Sequence, residues 1–542
     1  MTARVCFHRF LAVLAGMSLA VLLAACGDPE TTAVESPVAP AQATEIAWFT
    51  GSVQEAFASA EANHRPVFLF WGAAWCPYCQ QLKSSVFTRR DFIEKSRLFV
   101  PVYLDGDEAG AQKWGETLKV SGYPTVLILR ADGTELMRVA GGMDVERYTE
   151  LLNLALADTR PVAEILTGLA ANESTLSADD CRRLAFHGFS LETEPVADDA
   201  QLAGQLGLAA RRCPATSQVE RDRLIVQAAT LSLTAEGGGI REGKAPSARM
   251  AAMLATVVEL LGESERAVAV ADTLFVLDER FFTAARRAKL LPDDKLQQRW
   301  FDVMDRASAD PRYSESDQFF ALTSKLQGAK AFAALTPELA ASARAKVDAA
   351  LARKHDEYTR ASVVNSLLYV MDALDDQERV YAIAEQEMQS AATPYYLMLD
   401  LASIDEKRGR PDAALGWFER AYRESKGPAT RFQWGTSYVA SLIRMRPEDD
   451  ARIRDVTLGV LAELDGPDRL YQRTNSRIER LEQELAKWSA DGSKSAVIAA
   501  VQARMQALCS KIPEVESEAR AACGGFLKSV ATVRAPRVPA AA

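Results

Sequence analysis

The sequence predicts a small mixed α/β domain at the N-terminal side, followed by a much larger all-α region. Three observations carry this. Between Ile46 and Val139 short runs of strand-forming residues, such as Val67–Trp71 and Val126–Leu129, alternate with helical patterns. After Pro161 strand signals nearly vanish, and Ala, Leu, Arg and Glu recur at steps of three and four, as in stacked amphipathic helices. The chain, at 542 residues, is too long for a single core. Apolar content of 48% and charged content of 25% are those of ordinary globular protein. A net charge of -10 with no basic block argues against nucleic acid as a partner. The acidic residues are spread along the chain, as on solvated helix faces.

The N-terminus reads as an address. Arg4, His8 and Arg9 precede an apolar run from Phe10 to Ala25, short for a membrane span and of signal-peptide length. It closes on Leu23-Ala24-Ala25-Cys26-Gly27, which resembles the bacterial lipobox. The resemblance implies cleavage before Cys26 and lipid on Cys26; a plain signal cut nearby or an uncleaved anchor is the other reading. Gly27 in place of Asp implies, by the sorting rule of such lipoproteins, the periplasmic face of the outer membrane rather than the inner. Residues 27–44 are rich in Pro, Ala, Thr and Glu without periodicity, a flexible tether. The organisation expected is therefore 1–25 signal, 26–44 tether, 45–158 α/β domain, 160–350 helical, 351–533 helical and repeat-like, and 534–542 disordered tail.

Export changes how the cysteines are counted. Of eight, Cys6 leaves with the signal and Cys26 takes lipid, so six remain: Cys76, Cys79, Cys181, Cys213, Cys509 and Cys523. Sequential pairing is the simplest scheme: one redox pair and two structural disulfides, Cys181 with Cys213 and Cys509 with Cys523. Six cysteines nevertheless allow fifteen connectivities, and sequence does not choose among them.

Within the α/β domain the elements are expected in this order. Ile46-Ala47-Trp48-Phe49 is a first strand, and Ser52 caps a helix through Ala62. Pro66 turns the chain into the strand Val67 to Trp71, and a helix runs from Cys76 to about Lys83. A second helical piece covers Arg89 to Lys95, followed by the strand Leu98 to Leu104, with Asp105-Gly106-Asp107 as its exit turn. Ala109 to Leu118 is helical, and Tyr123-Pro124-Thr125 leads into the strand Val126 to Leu129. Ala131-Asp132-Gly133-Thr134 makes a hairpin to Glu135–Val139, and Gly141-Gly142 precedes a last helix from Val145 to about Ala157.

The chemistry is concentrated at Trp75-Cys76-Pro77-Tyr78-Cys79, where an apolar strand gives way to a helix. A cysteine at a helix start has its thiolate stabilised by unpaired N–H groups and the helix dipole. Cys79 lies nearly one turn further on, within reach of a disulfide with Cys76, and Pro77 suits the first helical turn. This is a dithiol built to exchange with other disulfides. Half of a zinc site is the competing reading, but no second Cys-x-x-Cys exists, and His8, His64, His187 and His355 have no ligand spacing; no metal or other cofactor is expected. His64, before Arg65-Pro66, reads as a surface residue in a turn.

With these residues in view the segment resembles a thioredoxin-fold domain, and more closely the exported thiol–disulfide oxidoreductases of that family. Trp75-Cys76-Pro77-Tyr78-Cys79 matches its W-C-x-x-C site, and Gly122-Tyr123-Pro124-Thr125 matches its cis-proline loop, 45 residues after Cys79. Gly141-Gly142 falls where the family has glycine beside that loop. The resemblance implies that Cys76 attacks and Cys79 resolves, that Trp75 shields the site, and that Pro124 is cis with the Tyr123 backbone pairing to an incoming extended peptide. Two departures affect proton handling at Cys79. Phe70 stands where many relatives carry a buried Asp, and Pro101 stands near the place of a buried Lys. Glu108 and Asp105 are the nearby acids that fit a substitute role. The Pro-Tyr dipeptide, shared with glutaredoxins, points to an intermediate potential.

In the helical region, Cys181 and Cys213 sit in two helical stretches separated by a looser 188–199 segment, and Glu236-Gly237-Gly238-Gly239 through Lys244-Ala245-Pro246 is expected to be a loop. Pro394 and Pro428 stand 34 residues apart, as do Leu367 and Leu401. Gly409, Ala414, Phe418 and Ala421 sit at offsets matching the tetratricopeptide pattern, against the alternative of a generic helical array. Either arrangement offers a face for proteins or peptides. Trp417, Tyr422, Phe432 and Trp434 are expected in the repeat core.

Two functions fit. One is an envelope thiol–disulfide oxidoreductase whose helical region docks partners. Those partners would be envelope proteins carrying thiols or disulfides, with a membrane disulfide reductase or oxidase among them. The other is an envelope scaffold lipoprotein in which the α/β domain is structural. Neither the direction of exchange nor the partners can be read from the residues.

Overall fold

The computed structural model describes residues 44–120, 122–140, 151–154, 156, 160–171, 175–191, 197–465, 472–512, 520, 523 and 525–526. The expected signal, Cys26, most of the tether, Gly141-Gly142, most of the expected helix from Val145 to about Ala157 and the 534–542 tail lie outside them.

Apolar β-branched and aromatic runs form a four-stranded sheet flanked by helices. In chain order the elements are α1 (Val53–Asn63), β1 (Val67–Gly72), α2 (Pro77–Ser85), α3 (Arg90–Ser96), β2 (Val100–Asp105), α4 (Ala111–Thr117), β3 (Thr125–Leu129) and β4 (Glu135–Ala140). The sheet order is β2-β1-β3-β4, with β2 parallel to β1 and the other neighbours antiparallel. This is a thioredoxin fold. β1 is buried at every position because both its faces are covered. Phe68 and Phe70 face a core shared with α2 and α3, while Val67, Leu69 and Trp71 face α1 and α4.

Two sequence expectations are corrected. Ile46–Phe49 is not a strand: Trp48 N–H turns back to the Ile46 carbonyl, leaving only Phe49 N–H bonded across to Pro101. The segment is held by side chains instead, with Trp48 packed on Phe68, Phe70, Phe87 and Tyr103. The dithiol therefore follows the first strand, not the second. Nor is Glu236–Gly239 a loop, because one helix runs unbroken over Gln218–Arg241. Tertiary contacts override the glycines' weak propensity there. Ile240 is buried, and Arg287 reaches across from a neighbouring helix to its carbonyl.

Beyond residue 160 the described residues outside turns are helical, as expected. Cys181 is bonded to Cys213 and Cys509 to Cys523. Pro394 and Pro428 each occupy the first turn of a helix, Pro394–Lys407 and Pro428–Met445. Leu367, Leu401, Ala414 and Ala421 are fully buried between such helices, and Gly409 takes the left-handed conformation (φ 66°) that the turn between them requires. The array folds back over the α/β domain. Helix Glu357–Ala373 packs on α2, and one apolar core is continuous from β1 through the first helices of the array.

Candidate active site

The site forms where β1 ends and α2 begins. Cys76 is the N-cap of α2, in extended conformation, and its sulfur accepts the Cys79 N–H at 3.2 Å. Pro77 at the first helical position needs no donor, so a helix starts here with a sulfur placed where caps usually present oxygen. Sγ thus has an N–H aimed at it and sits at the positive end of the helix. Cys79 is fully buried, and burial, with Cys76 beside it, pushes its thiol well above the usual range. The arrangement sets the two sulfurs apart: one caps the helix and accepts an N–H, and the other is a buried, protonated thiol. Both cysteines are thiols in this structure.

The Tyr123–Pro124 peptide bond is cis. The Tyr123 ring stacks on Trp71 (5.5 Å) and meets Trp75 edge-on (5.8 Å), fixing the loop against the dithiol. Gly106 is the one residue that fits the exit of β2, because a Cβ there would overlap the Tyr123 hydroxyl.

Beneath Cys79 the acid common in the fold is replaced by an aromatic pair. Phe70 stacks on Tyr103 (5.2 Å), its register partner in β2, and meets Phe87 edge-on. The Tyr103 hydroxyl donates to Asp105 at 3.0 Å and lies 3.3 Å from the Lys83 ammonium, one turn beyond Cys79 on α2. Of the two acids singled out in the sequence, Asp105 joins this chain. Glu108 is exposed, and its carboxyl is held above the ordinary range by partial burial and by Asp105.

The residues that sequence reasoning missed come from the helical array. Trp75 Nε1 donates to Thr430 Oγ1 at 2.7 Å, and Thr430 donates its backbone N–H (2.8 Å) and its hydroxyl to Asp107. Asp107 therefore caps helix Pro428–Met445 from another part of the chain. It approaches so closely that a Cβ on Gly427 (φ 83°) would lie 2.2 Å from its carboxyl carbon. The Trp75 indole is stacked on Tyr396 (5.9 Å) and met by the edge of Trp434 (5.3 Å). Trp434, expected as repeat core, packs there with Tyr395, Met398 and Ala421 and also meets Trp75 of the α/β domain. Tyr78 stacks on Phe320, and Gln81 donates to Ser314 (2.9 Å) and Asp317 (2.8 Å). Burial pushes the Asp317 carboxyl up to about 6. Under this cover Cys76 retains 3% exposure.

His64 is an exposed residue in left-handed conformation ending α1, a turn residue as expected. Among the described residues no His, Cys, Asp and Glu group is spaced to hold a metal ion, and no helix is long and apolar enough to cross a membrane.

With this geometry established, comparison with known proteins separates the two parts of the chain. Residues 53–156 match the family model described as a thioredoxin-like domain. This segment is a thioredoxin-like domain. A solved structure titled DsbH oxidoreductase is similar at 22% identity, over 22% of this chain and 92% of that one, with a TM-score of 0.20. No curated protein matches.

Proposed function

We propose that this protein is an exported, lipid-anchored thiol–disulfide oxidoreductase that works through Cys76 and Cys79. The observation that carries the reading is the Cys76 sulfur at the α2 cap, receiving the Cys79 N–H, with Tyr123 of the cis Tyr123–Pro124 bond packed on the adjacent Trp75. In the reductive sense, Cys76 attacks a substrate disulfide and one substrate sulfur leaves as thiolate. Cys79 then gives up its proton and attacks Cys76 Sγ, releasing the second substrate thiol and closing the Cys76–Cys79 disulfide. Oxidation of a dithiol runs the same steps backward. Trp75 and the Tyr123–Pro124 loop bound the substrate position, and Cys26 supplies the anchor at the outer membrane. Envelope proteins carrying thiols or disulfides are the partner class, and a membrane disulfide reductase or oxidase resets the pair.

The test is a Cys79→Ser variant, which is expected to accumulate mixed disulfides through Cys76 that disappear on reduction. Absence of any adduct with disulfide substrates, in a variant that remains folded, overturns the exchange mechanism. One observation favours a second reading, a structural lipoprotein: Cys76 lies under the array with 3% exposure. A reduction potential below about −300 mV for the pair decides for that alternative, since structural disulfides lie there.

A further inference from the structure

Every approach to Cys76 is narrowed by the chain itself. Tyr396 and Trp434 pack on Trp75, and the Trp75 indole is tied to Thr430. Tyr78, inside the dithiol motif, is stacked on Phe320. Among the described residues a cavity of about 450 Å³ opens beside the site. Its near wall is Ala74, Trp75, Pro77 and Gln80, which includes both chain neighbours of Cys76. Its far wall comes from helix Glu357–Ala373 and from the turn entering helix Pro394–Lys407. That volume belongs to small-molecule sites, which span about 300–1,000 Å³, and not to a surface that seats a folded protein.

The wall chemistry narrows the occupant further. Arg360 and Glu387, both in the lining, form a two-pronged ion pair (2.8 and 2.5 Å) that presents both signs of charge. His355 Nε2 lies 3.1 Å from a Glu315 carboxylate oxygen, and its Nδ1 has no partner within the protein. Gln80 Oε1 is a second buried polar atom without a partner at this wall. Two unpartnered buried polar atoms, beside an Arg–Glu pair, suit a ligand bearing ammonium and carboxylate groups.

Resting on the exchange reading above, we infer that the closed array sorts substrates by bulk. A low-molecular-weight disulfide of amino-acid type reaches Cys76 through this cavity, whereas a folded protein's disulfide waits until the array lifts from Trp75. The chemistry balances without another reagent in a single turnover. One substrate S–S bond breaks and the Cys76–Cys79 bond forms. The dithiol loses two electrons and two protons, and two substrate thiols are released. Repeated turnover requires a dithiol donor to reduce the pair again.

The test mixes the fully reduced, full-length protein with L-cystine or with disulfide-intact insulin at equal disulfide concentration. Acid quenching and mass spectrometry of the peptide containing Cys76 and Cys79 follow the oxidation. Cystine is expected to react about 100-fold faster than insulin, the factor set by an open state populated at about 1%. Ala392→Trp, at an exposed position on the cavity rim, is expected to slow cystine at least about tenfold and leave insulin unchanged. Ser390→Phe, also exposed and lining the cavity, repeats the test should the first variant fold poorly. Equal rates for the two substrates, or a cystine rate indifferent to both rim variants, overturns the sorting and leaves exchange intact. If neither substrate oxidises the pair, the exchange reading itself fails.

Discussion

Replacing Asp107 by Ala should uncover the dithiol without touching it. Asp107 accepts two hydrogen bonds from Thr430, and Thr430 in turn holds Trp75. Loss of a helix-cap acceptor costs about 1 kcal/mol. Leaving the buried Thr430 hydroxyl without an acceptor costs about 1–2 kcal/mol more. Part of this is returned, because burial already penalises the charged Asp107 carboxylate and pushes its pKa up. A net of about 2 kcal/mol weakens docking of the array and raises the open population about 30-fold. The assay is the rate at which a polyethylene-glycol maleimide modifies reduced Cys76, read by mass spectrometry, beside the rate for small N-ethylmaleimide. The bulky reagent should gain about 30-fold and the small one should change little, since the cavity already admits it. Asp107→Asn keeps an acceptor for the Thr430 N–H and should fall between. If Asp107→Ala is folded and the bulky reagent reacts no faster than with the wild type, the latch assigned to this contact does not exist.

Further expectations follow from the same geometry. Gly427→Ala places a methyl group where the Asp107 carboxyl sits and a side chain at φ 83°; it should raise the bulky-reagent rate at least as much as Asp107→Ala, by about 30-fold or more. For Asp317, burial raises the folded pKa to about 6 from 3.8, so its favourable contribution is complete below pH 3.8 and is lost as pH rises toward 6. Wild-type stability relative to Asp317→Asn should therefore fall by about 3 kcal/mol across that window in denaturant titrations, and a flat difference removes the assignment. Phe70→Asp should cost about 4 kcal/mol or more, since it removes a fully buried ring stacked on Tyr103 and strands a carboxylate; an unchanged melting temperature with faster resolution by Cys79 would show that the acid is welcome there. Cys181→Ser opens a bridge spanning 32 residues and should cost about 3–4 kcal/mol by the chain-entropy estimate, measurable as a lowered denaturation midpoint.

The α/β domain was legible because its signals are local. Val67–Trp71 and Val126–Leu129 are continuous apolar runs, Ser52 caps α1 with Glu55 closing the box, and Cys76-Pro77 writes the helix start into two residues. The dithiol and the Pro124 loop were readable by motif and spacing. What could not be read is the cover. Trp75 meets Thr430 across 355 positions, and no periodicity links a threonine in the first turn of one helix to an aspartate after a distant strand. The failed strand at Ile46–Phe49 and the uninterrupted Gln218–Arg241 helix have the same origin. In each, side-chain packing from elsewhere overrode a sound local preference.

The latch also has a birth order. Asp107 and Thr430 are 323 residues apart, so a growing chain presents the dithiol long before the partner of Trp75 has been made. Domains form in order of synthesis. Any nascent or truncated chain ending before Gly427 carries Cys76 without its latch. Such a fragment would be the least selective form of the protein, and the complete chain the most restrained.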